Sequence, residues 1–451
     1  MRLPLQRLVP GLLMLLAMAP GLSAAQDGDD APTHEFRLSN DMKVLVREDH
    51  RAPVVTVMVW YGVGSADEPP GRTGLSHVLE HMMFKGSEHL GPGEYSKMVS
   101  RFGGSHNAFT SYDYTAYYQK HEASRLPLAL ELEAERMKSL ELDPEQFRKE
   151  RNVVLEERRQ RVEDNPSALA GEKFTTIQRP GTGYASPVIG WKRDLANLTP
   201  AMLRDWYEQY YHPGNARLVV AGDVEPGEVR QLAERFFGDI AARETHAGLP
   251  RGSRPIPGER RMNLEMPVRV PSLRMSWNVP SLRTLGEDER DDYYALTMLA
   301  GVLDGGMSAR LETNLVRGQE LAAGLGTGYH GLTRGSGLFS INATPNPGVS
   351  LDELEEALHA EIRKLKENPP GPDELERVRA QVTASDVYER DSVFRQAMKL
   401  GYYDTLGLDW RLAERFVERL GEVTAADVQQ AAKEYLVPAR SAVAHVQPEA
   451  K

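Results

Sequence analysis

The chain has 451 residues, of which 41% are hydrophobic and 26% are charged, a composition typical of a globular protein with room for two or three domains. Its formal net charge of −11, without a long basic run, argues against nucleic acid and anionic membrane surfaces as partners. Cysteine is absent, which excludes disulfides, thiolate metal sites and thiol nucleophiles.

The first 25 residues are typical of an export signal. Arg2 and Arg7 give a positive start, residues 8–22 are apolar, and small residues at 23–25 precede a cleavage point before Gln26. The apolar run contains two prolines and is short for a bilayer span, so an uncleaved anchor and a mitochondrial transit peptide are the less favoured alternatives. We expect export to the periplasm of a Gram-negative bacterium, with no stable membrane insertion.

The first half begins with strand patterns, and a helical pattern follows them. Residues 35–68 predict a pair of strands with a turn at 39–41, and residues 103–120 predict a Gly-Gly turn followed by a single Thr- and Tyr-rich strand. Residues 123–163 predict helix that is broken at Asp143, with Pro144 in the first turn of the next helix.

Residues 73–86 lie between the two strand regions and contain the order His-x-x-Glu-His. On a helix, at about 100° per residue, His77, Glu80 and His81 share one face. The opposite face is apolar and consists of Leu75, Val78, Leu79 and Met82. Two histidines one turn apart can give neutral ring nitrogens to one zinc ion, and the glutamate between them can take a proton from the attacking water. The alternative is a polar helix face that carries two histidines by chance, which is rare in a chain with 12 histidines.

A catalytic zinc site needs a third protein ligand. In the charged segment 149–161, Glu150 and Glu157 share a helix face with two valines, whereas Glu156 points about 100° away. A carboxylate beside valines is the one expected to face inward. We therefore predict Glu157 as the third ligand and Glu150 as a supporting partner outside the ligand set. The alternative is that all these glutamates are solvated salt-bridge partners.

The second half repeats the first. A segment rich in Pro, Gly and Arg, 246–262, predicts a linker between an N-terminal domain, 26–245, and a C-terminal domain, 263–451. Pro372 follows Pro144 by 228 residues, and Thr424 follows Thr199 by 225, within similar local sequences. The segment that matches the histidine helix, 291–311, contains no histidine. Only the first copy is therefore predicted to bind metal.

The sequence HVLEH, followed by a Glu-x6-Glu pair, resembles the pitrilysin family of zinc metallopeptidases, also called inverzincins. Glu157 follows His81 by 76 residues, which is similar to the spacing in that family, and the likeness covers nearly all of the chain after the signal. The resemblance implies one Zn²⁺ per chain, bound by His77, His81 and Glu157, with Glu80 as the general base. It also implies an α+β fold of two homologous α/β domains, each a mainly antiparallel sheet packed with helices.

The length is similar to that of the short subfamily, which includes the β subunit of mitochondrial processing peptidase and bacterial periplasmic relatives. In that subfamily two chains close around a chamber that admits extended peptides. Residues 107–118 would form an edge strand that pairs with the peptide, with Asn107 and Ala108 beside the scissile bond. From sequence alone the strand is equally compatible with an interior position.

One departure from the family concerns the second domain. Arg317 is the candidate for an arginine that contacts substrate in relatives, but the spacing is one residue short, and Ala323 stands where a tyrosine is expected. We therefore expect a second pitrilysin-like chain as partner, either a homologue that lacks the zinc motif or another copy of this chain. The sequence predicts a zinc endopeptidase that hydrolyses short or unfolded peptides. The alternative is a non-catalytic binding or assembly subunit, and the intact set of candidate ligands and base argues against it.

Overall fold

The computed structural model describes residues 32–243 and 257–449, which form two similar α+β halves. The predicted export signal and residues 246–256 of the predicted linker lie outside the described residues. The linker prediction extends too far at its end, because Arg260 already begins a strand that pairs in parallel with the last strand of the chain. No helix within the described ranges is long and apolar enough to cross a membrane.

The first half contains a six-stranded sheet. Its strands are β1 (Thr33–Arg37), β2 (Lys43–Glu48), β3 (Val54–Tyr61), β4 (Ser105–Thr110), β5 (Thr115–Glu122) and β6 (Ala216–Gly222). The spatial order is β1-β2-β6-β3-β5-β4, and every pairing is antiparallel except that of β2 with β6. The β-branched sequence of β3 suits its buried position between β6 and β5.

The turn predicted at residues 39–41 is confirmed, because residues 33–48 form a hairpin of β1 and β2 with Asp41 at a φ of 67° in the connecting turn. The single strand predicted after the Gly-Gly turn is wrong. Residues 107–118 also belong to a hairpin, because residues 111–114 turn the chain back so that β5 covers β4. Asn107 and Ala108 therefore lie on the edge strand, whereas residues 115–118 lie inside the sheet.

The second half contains a five-stranded sheet with the matching arrangement. Its strands are β7 (Arg260–Met266), β8 (Ser272–Val279), β9 (Ala322–His330), β10 (Gly337–Pro345) and β11 (Ser441–Pro448). The order is β7-β11-β8-β10-β9, with one parallel pair, β7 and β11, at the position that β2 and β6 occupy in the first half. The two mainly antiparallel sheets confirm the predicted α+β class and the internal duplication.

The described ranges contain fifteen α-helices. The first half contributes α1 (Leu75–Met82), α2 (Glu94–Arg101), α3 (Leu126–Ser139), α4 (Pro144–Arg158), α5 (Pro166–Gln178), α6 (Lys192–Asn197), α7 (Pro200–Tyr210) and α8 (Pro226–Phe237). The second contributes α9 (Asp291–Leu303), α10 (Leu351–Glu367), α11 (Pro372–Arg390), α12 (Val393–Thr405), α13 (Arg411–Glu414), α14 (Phe416–Glu422) and α15 (Ala425–Tyr435). Asp143 caps α4 by accepting hydrogen bonds from two backbone N–H groups, and Pro144 stands in its first turn as predicted.

The two halves exchange helices. Helix α5 of the first half packs on β7, β8 and β11 of the second, and α12 of the second half packs on β2, β3 and β6 of the first. Gly401 in α12 lies directly over the fully buried Trp60, and Asp404 in the same helix pairs with Lys43 and Arg217 of the first sheet. One cluster of buried residues therefore contains side chains of both halves, and the first half has a second large cluster of its own.

Candidate metal centre

Helix α1 is fixed at its N-terminus by a buried carboxylate. Gly74 precedes the helix at a φ of 90°, a conformation that favours glycine, and its N–H donates to Glu68 Oε2 at 2.6 Å. The N–H of Ser76 donates to Glu68 Oε1 at 2.7 Å. Burial raises the pKa of Glu68 to about 8, although both N–H donors favour the charged form. Glu68 thus satisfies two backbone donors that the first helical turn leaves without an intrahelical partner.

The two faces of α1 are those that the sequence pattern predicted. The apolar face is at most 2% exposed and packs on the sheet of the first half. The face with His77, Glu80 and His81 is only partly buried. The core contacts of the apolar face thus orient the polar face toward helix α4.

Helix α4 brings a third side chain to this face. Glu157 Oε2 lies 3.8 Å from His77 Nε2 and 3.6 Å from His81 Nε2. One ligand atom from each of the three residues falls within 4.8 Å of the other two, so the three atoms surround a common point. The second oxygen of Glu157 forms an ion pair with Arg161 at 2.7 Å, which leaves Oε2 beside the histidines.

The protonation state of His77 fits a cation at this point. Burial, followed by the nearby charges of His81 and Arg161, lowers the pKa of His77 to about 3, so its imidazole is neutral and can offer a lone pair. Two histidine ring nitrogens and one carboxylate oxygen are the donor set that suits catalytic zinc with an open fourth position. These residues therefore fit the zinc ion that the sequence pattern predicts.

Glu150 lies outside the set of three candidate ligands and contacts one of them, His81. Its Oε2 is 3.3 Å from His81 Nδ1, and its Oε1 is 2.8 Å from Lys85 Nζ. A carboxylate on the far nitrogen of a histidine selects the tautomer whose Nε2 carries the lone pair. Glu156, by contrast, points outward and pairs with Arg159.

Glu80 is held by a residue that the sequence pattern did not indicate. Its Oε2 accepts a hydrogen bond from the Thr110 hydroxyl at 2.6 Å, at the end of edge strand β4. Burial raises the pKa of the Glu80 carboxyl, and the hydrogen bond from Thr110 partly offsets that effect. Thr110 shares a strand face with Ala108, two residues away, so strand alternation was the signal that would have indicated it.

The predicted substrate residues lie in different places. Asn107 and Ala108 are on β4, which pairs with β5 on one side and forms the edge of the described sheet on the other. The Asn107 side-chain oxygen accepts the N–H of Ala108 at 2.9 Å. Arg317 lies in a π-helical turn of the second half, where it donates to the carbonyl of Met307 and to Thr313. Its contacts within the described structure stay in the second half.

Comparison with known families covers most of the chain. Residues 43–190 match the family described as insulinase (peptidase family M16), and residues 197–382 match the one described as the peptidase M16 inactive domain. The first match contains the candidate metal centre. The second covers the half in which the corresponding helix, α9, has no histidine.

Individual relatives agree with these matches. The chain is 31% identical over 367 residues to the zinc protease PqqE of Helicobacter pylori, which covers 80% of this chain and 81% of the relative. The crystal structure of a protease from Helicobacter pylori superposes with a TM-score of 0.85 at 28% identity, over 93% of this chain and all of the other. The first half of the periplasmic protease PqqL from Escherichia coli shares the fold, with a TM-score of 0.76 at 17% identity over 92% of this chain and 91% of that one.

Proposed function

The chain belongs to peptidase family M16, and on that premise we propose that it is a zinc-dependent endopeptidase of short or unfolded peptides. The observation that carries the proposal is the meeting of His77, His81 and Glu157 around one point, beside a glutamate that is not one of the three. Homologues named zinc proteases support the same activity.

His77, His81 and Glu157 would hold the zinc, and Glu150 would orient His81. A bound zinc ion supplies Lewis-acid chemistry, polarising a peptide carbonyl and making water more acidic. Glu80 acts as the general base. Because the Thr110 hydroxyl occupies Oε2, Oε1 is the oxygen that takes the proton from water and later passes it to the leaving amine.

The peptide would bind along β4. An edge strand offers backbone N–H and C=O groups to an extended peptide, and this edge ends at the residue that holds Glu80. Asn107 and Ala108 would then contact the peptide close to the bond that is cleaved. Pairing through the backbone suits unfolded chains of varied sequence.

A second pitrilysin-like chain is part of the proposal, as a homodimer or as a heterodimer with a homologue that lacks the zinc motif. Arg317 has no contact with the metal centre within the described residues, and Ala323 replaces the tyrosine expected beside it. A homologous partner would supply both groups from its own second half, whereas a second copy of this chain would supply Arg317 without the tyrosine. The periplasm is the proposed location, and the predicted export signal and the shared fold of the periplasmic protease PqqL support it.

The test is hydrolysis of an internally quenched peptide by the purified chain, alone and co-expressed with a zinc-motif-lacking homologue. Glu80→Gln should lower kcat by about 10²–10⁴-fold, the range of a general base, and a chelator should abolish activity. Zinc content should stay at one per chain in Glu80→Gln, because Glu80 is not among the three ligands. Glu156→Gln is the matched control, because Glu156 is exposed on α4 beside Glu157 and should leave activity unchanged.

Normal turnover in Glu80→Gln would show that the assignment of the base is wrong. Absence of zinc-dependent hydrolysis, both alone and with the homologue, would instead support a binding or assembly subunit.

A further inference from the structure

A cavity of about 430 Å³ lies between the two halves, away from the metal centre. The turn between β4 and β5 forms one wall, the C-terminal end of α5 forms another, and the second half contributes the rest. Five tyrosines line it, Tyr112, Tyr114, Tyr293, Tyr329 and Tyr402. This volume and this aromatic lining are those of a small-molecule site rather than of a packing defect.

Two of these tyrosines have hydroxyl groups that already bind to the protein backbone. The hydroxyl of Tyr329 donates to the carbonyl of Pro280 at 2.7 Å, and that of Tyr402 donates to the carbonyl of Leu332 at 2.8 Å. Their polar ends are therefore satisfied by protein. The remaining ring surfaces suit an aromatic or apolar group on a ligand.

Arg179 gives the cavity a positive charge that no carboxylate contacts. The residue is 7% exposed and follows the last turn of α5. One nitrogen donates to the carbonyl of Ser336 at 3.0 Å, and the guanidinium lies over the rings of Tyr112 and Tyr184. Within the described residues it forms no salt bridge, so its other donors are available to a ligand. A buried arginine without an anionic partner is costly, and a planar carboxylate is the group that its fork geometry recognises best.

The other charged groups nearby satisfy one another. Arg334 donates to Asp113 at 3.2 Å and pairs with Asp67, and the hydroxyl of Tyr184 donates to Asp113 at 2.7 Å. Asp113 lines the cavity, but its oxygens are taken up by these contacts. Arg179 is the cation left with unused donors at this wall. Gln178, beside it, also lines the cavity and offers an amide N–H₂ group.

We propose that this cavity binds a small carboxylate ligand with an aromatic or apolar side chain, and that Arg179 binds the carboxylate. The C-terminal residue of a peptide and a free amino acid share this chemistry. The ligand would contact both halves of the chain at once and would stabilise their association. The cavity wall begins at Ser111, directly after Thr110, so the ligand would also restrain the hairpin that holds Glu80.

The experiment is calorimetric titration of the full zinc-loaded chain with N-acetyl-phenylalanine and with its amide. The acid should bind at least tenfold more tightly than the amide, because only the acid presents a carboxylate to Arg179. Arg179→Gln should abolish this difference. Arg274→Gln is the matched control, because Arg274 contacts Ser167 at the other end of α5, outside the cavity, and should preserve it.

A second variant and a second ligand are also tested. Thr175→Phe fills the cavity without changing its charge and should abolish binding of the acid even if Arg179→Gln does not fold. Free phenylalanine carries an ammonium group, so tighter binding than that of the acetylated form indicates a free amino acid and weaker binding indicates a peptide end. Equal affinity for acid and amide, no binding of the acid at millimolar concentration, or a preference that survives Arg179→Gln would overturn the proposal. A preference for the acid that survives Arg179→Gln would show that the carboxylate binds at another site, such as the metal centre.

Discussion

The hydroxyl of Thr110 is the contact on which the position of Glu80 depends most directly. It donates to Glu80 Oε2 at 2.6 Å, from the last residue of β4. Thr110→Val removes this donor and keeps the shape of a β-branched side chain, so the strand should still form. The variant therefore tests the orientation of the carboxylate without deleting it.

The expected loss follows from the kind of hydrogen bond involved. A hydrogen bond to a charged group contributes roughly 1.5–3 kcal/mol, and burial of Glu80 places this one toward the upper part of that range. If the contact is needed to hold the base in its productive position, kcat should fall about 10- to 150-fold in Thr110→Val. KM should change little, because the hydroxyl is engaged with Glu80 rather than with the peptide.

The assay is steady-state hydrolysis of a quenched peptide, with zinc content and melting temperature measured on the same samples. Thr110→Ser restores the hydroxyl and should recover most of kcat, which a purely structural role for the methyl group would not allow. An unchanged kcat in Thr110→Val, at full zinc content, would refute the inference that this hydrogen bond positions the base. Loss of zinc in that variant would refute the separation of Glu80 from the ligand set.

Two further predictions concern stability and the support of the metal helix. Gly401→Ala should lower the unfolding temperature, because the new Cβ would lie 2.1 Å from Trp60 Nε1 and overpacking costs about 1–3 kcal/mol. Gly421→Ala is the control, because a Cβ there would meet nothing within 4 Å. It should raise the free energy of unfolding, measured in denaturant, by up to about 1 kcal/mol. Equal effects of the two would contradict the close packing of α12 on the first sheet. Glu68→Gln leaves one buried N–H without its acceptor, at a cost of roughly 1–3 kcal/mol. This variant should weaken zinc binding in a competition titration, while Glu156→Gln should not. Unchanged zinc affinity in Glu68→Gln would show that Glu68 does not support the site.

Local patterns in the sequence predicted much of the fold and of the candidate site. The two faces of α1 and the choice of Glu157 over Glu156 follow from helical periodicity, which relates residues only a few positions apart. The duplication followed from similar segments at a constant offset, and the two sheets share one strand order. The order His-x-x-Glu-His indicated the role of Glu80, and the resemblance to a known family implied the same role.

The hairpin of β4 and β5 was missed because residues 111–114 contain no glycine or proline to mark a turn. That error also hid Thr110, whose contact with Glu80 joins residues 30 positions apart. The exchange of α5 and α12 depends on how the two sheets pack together, and so does the cavity that Arg179 shares with tyrosines of the other half. Sequence periodicity shows which face of an element is buried, but only the tertiary structure decides which other element covers it.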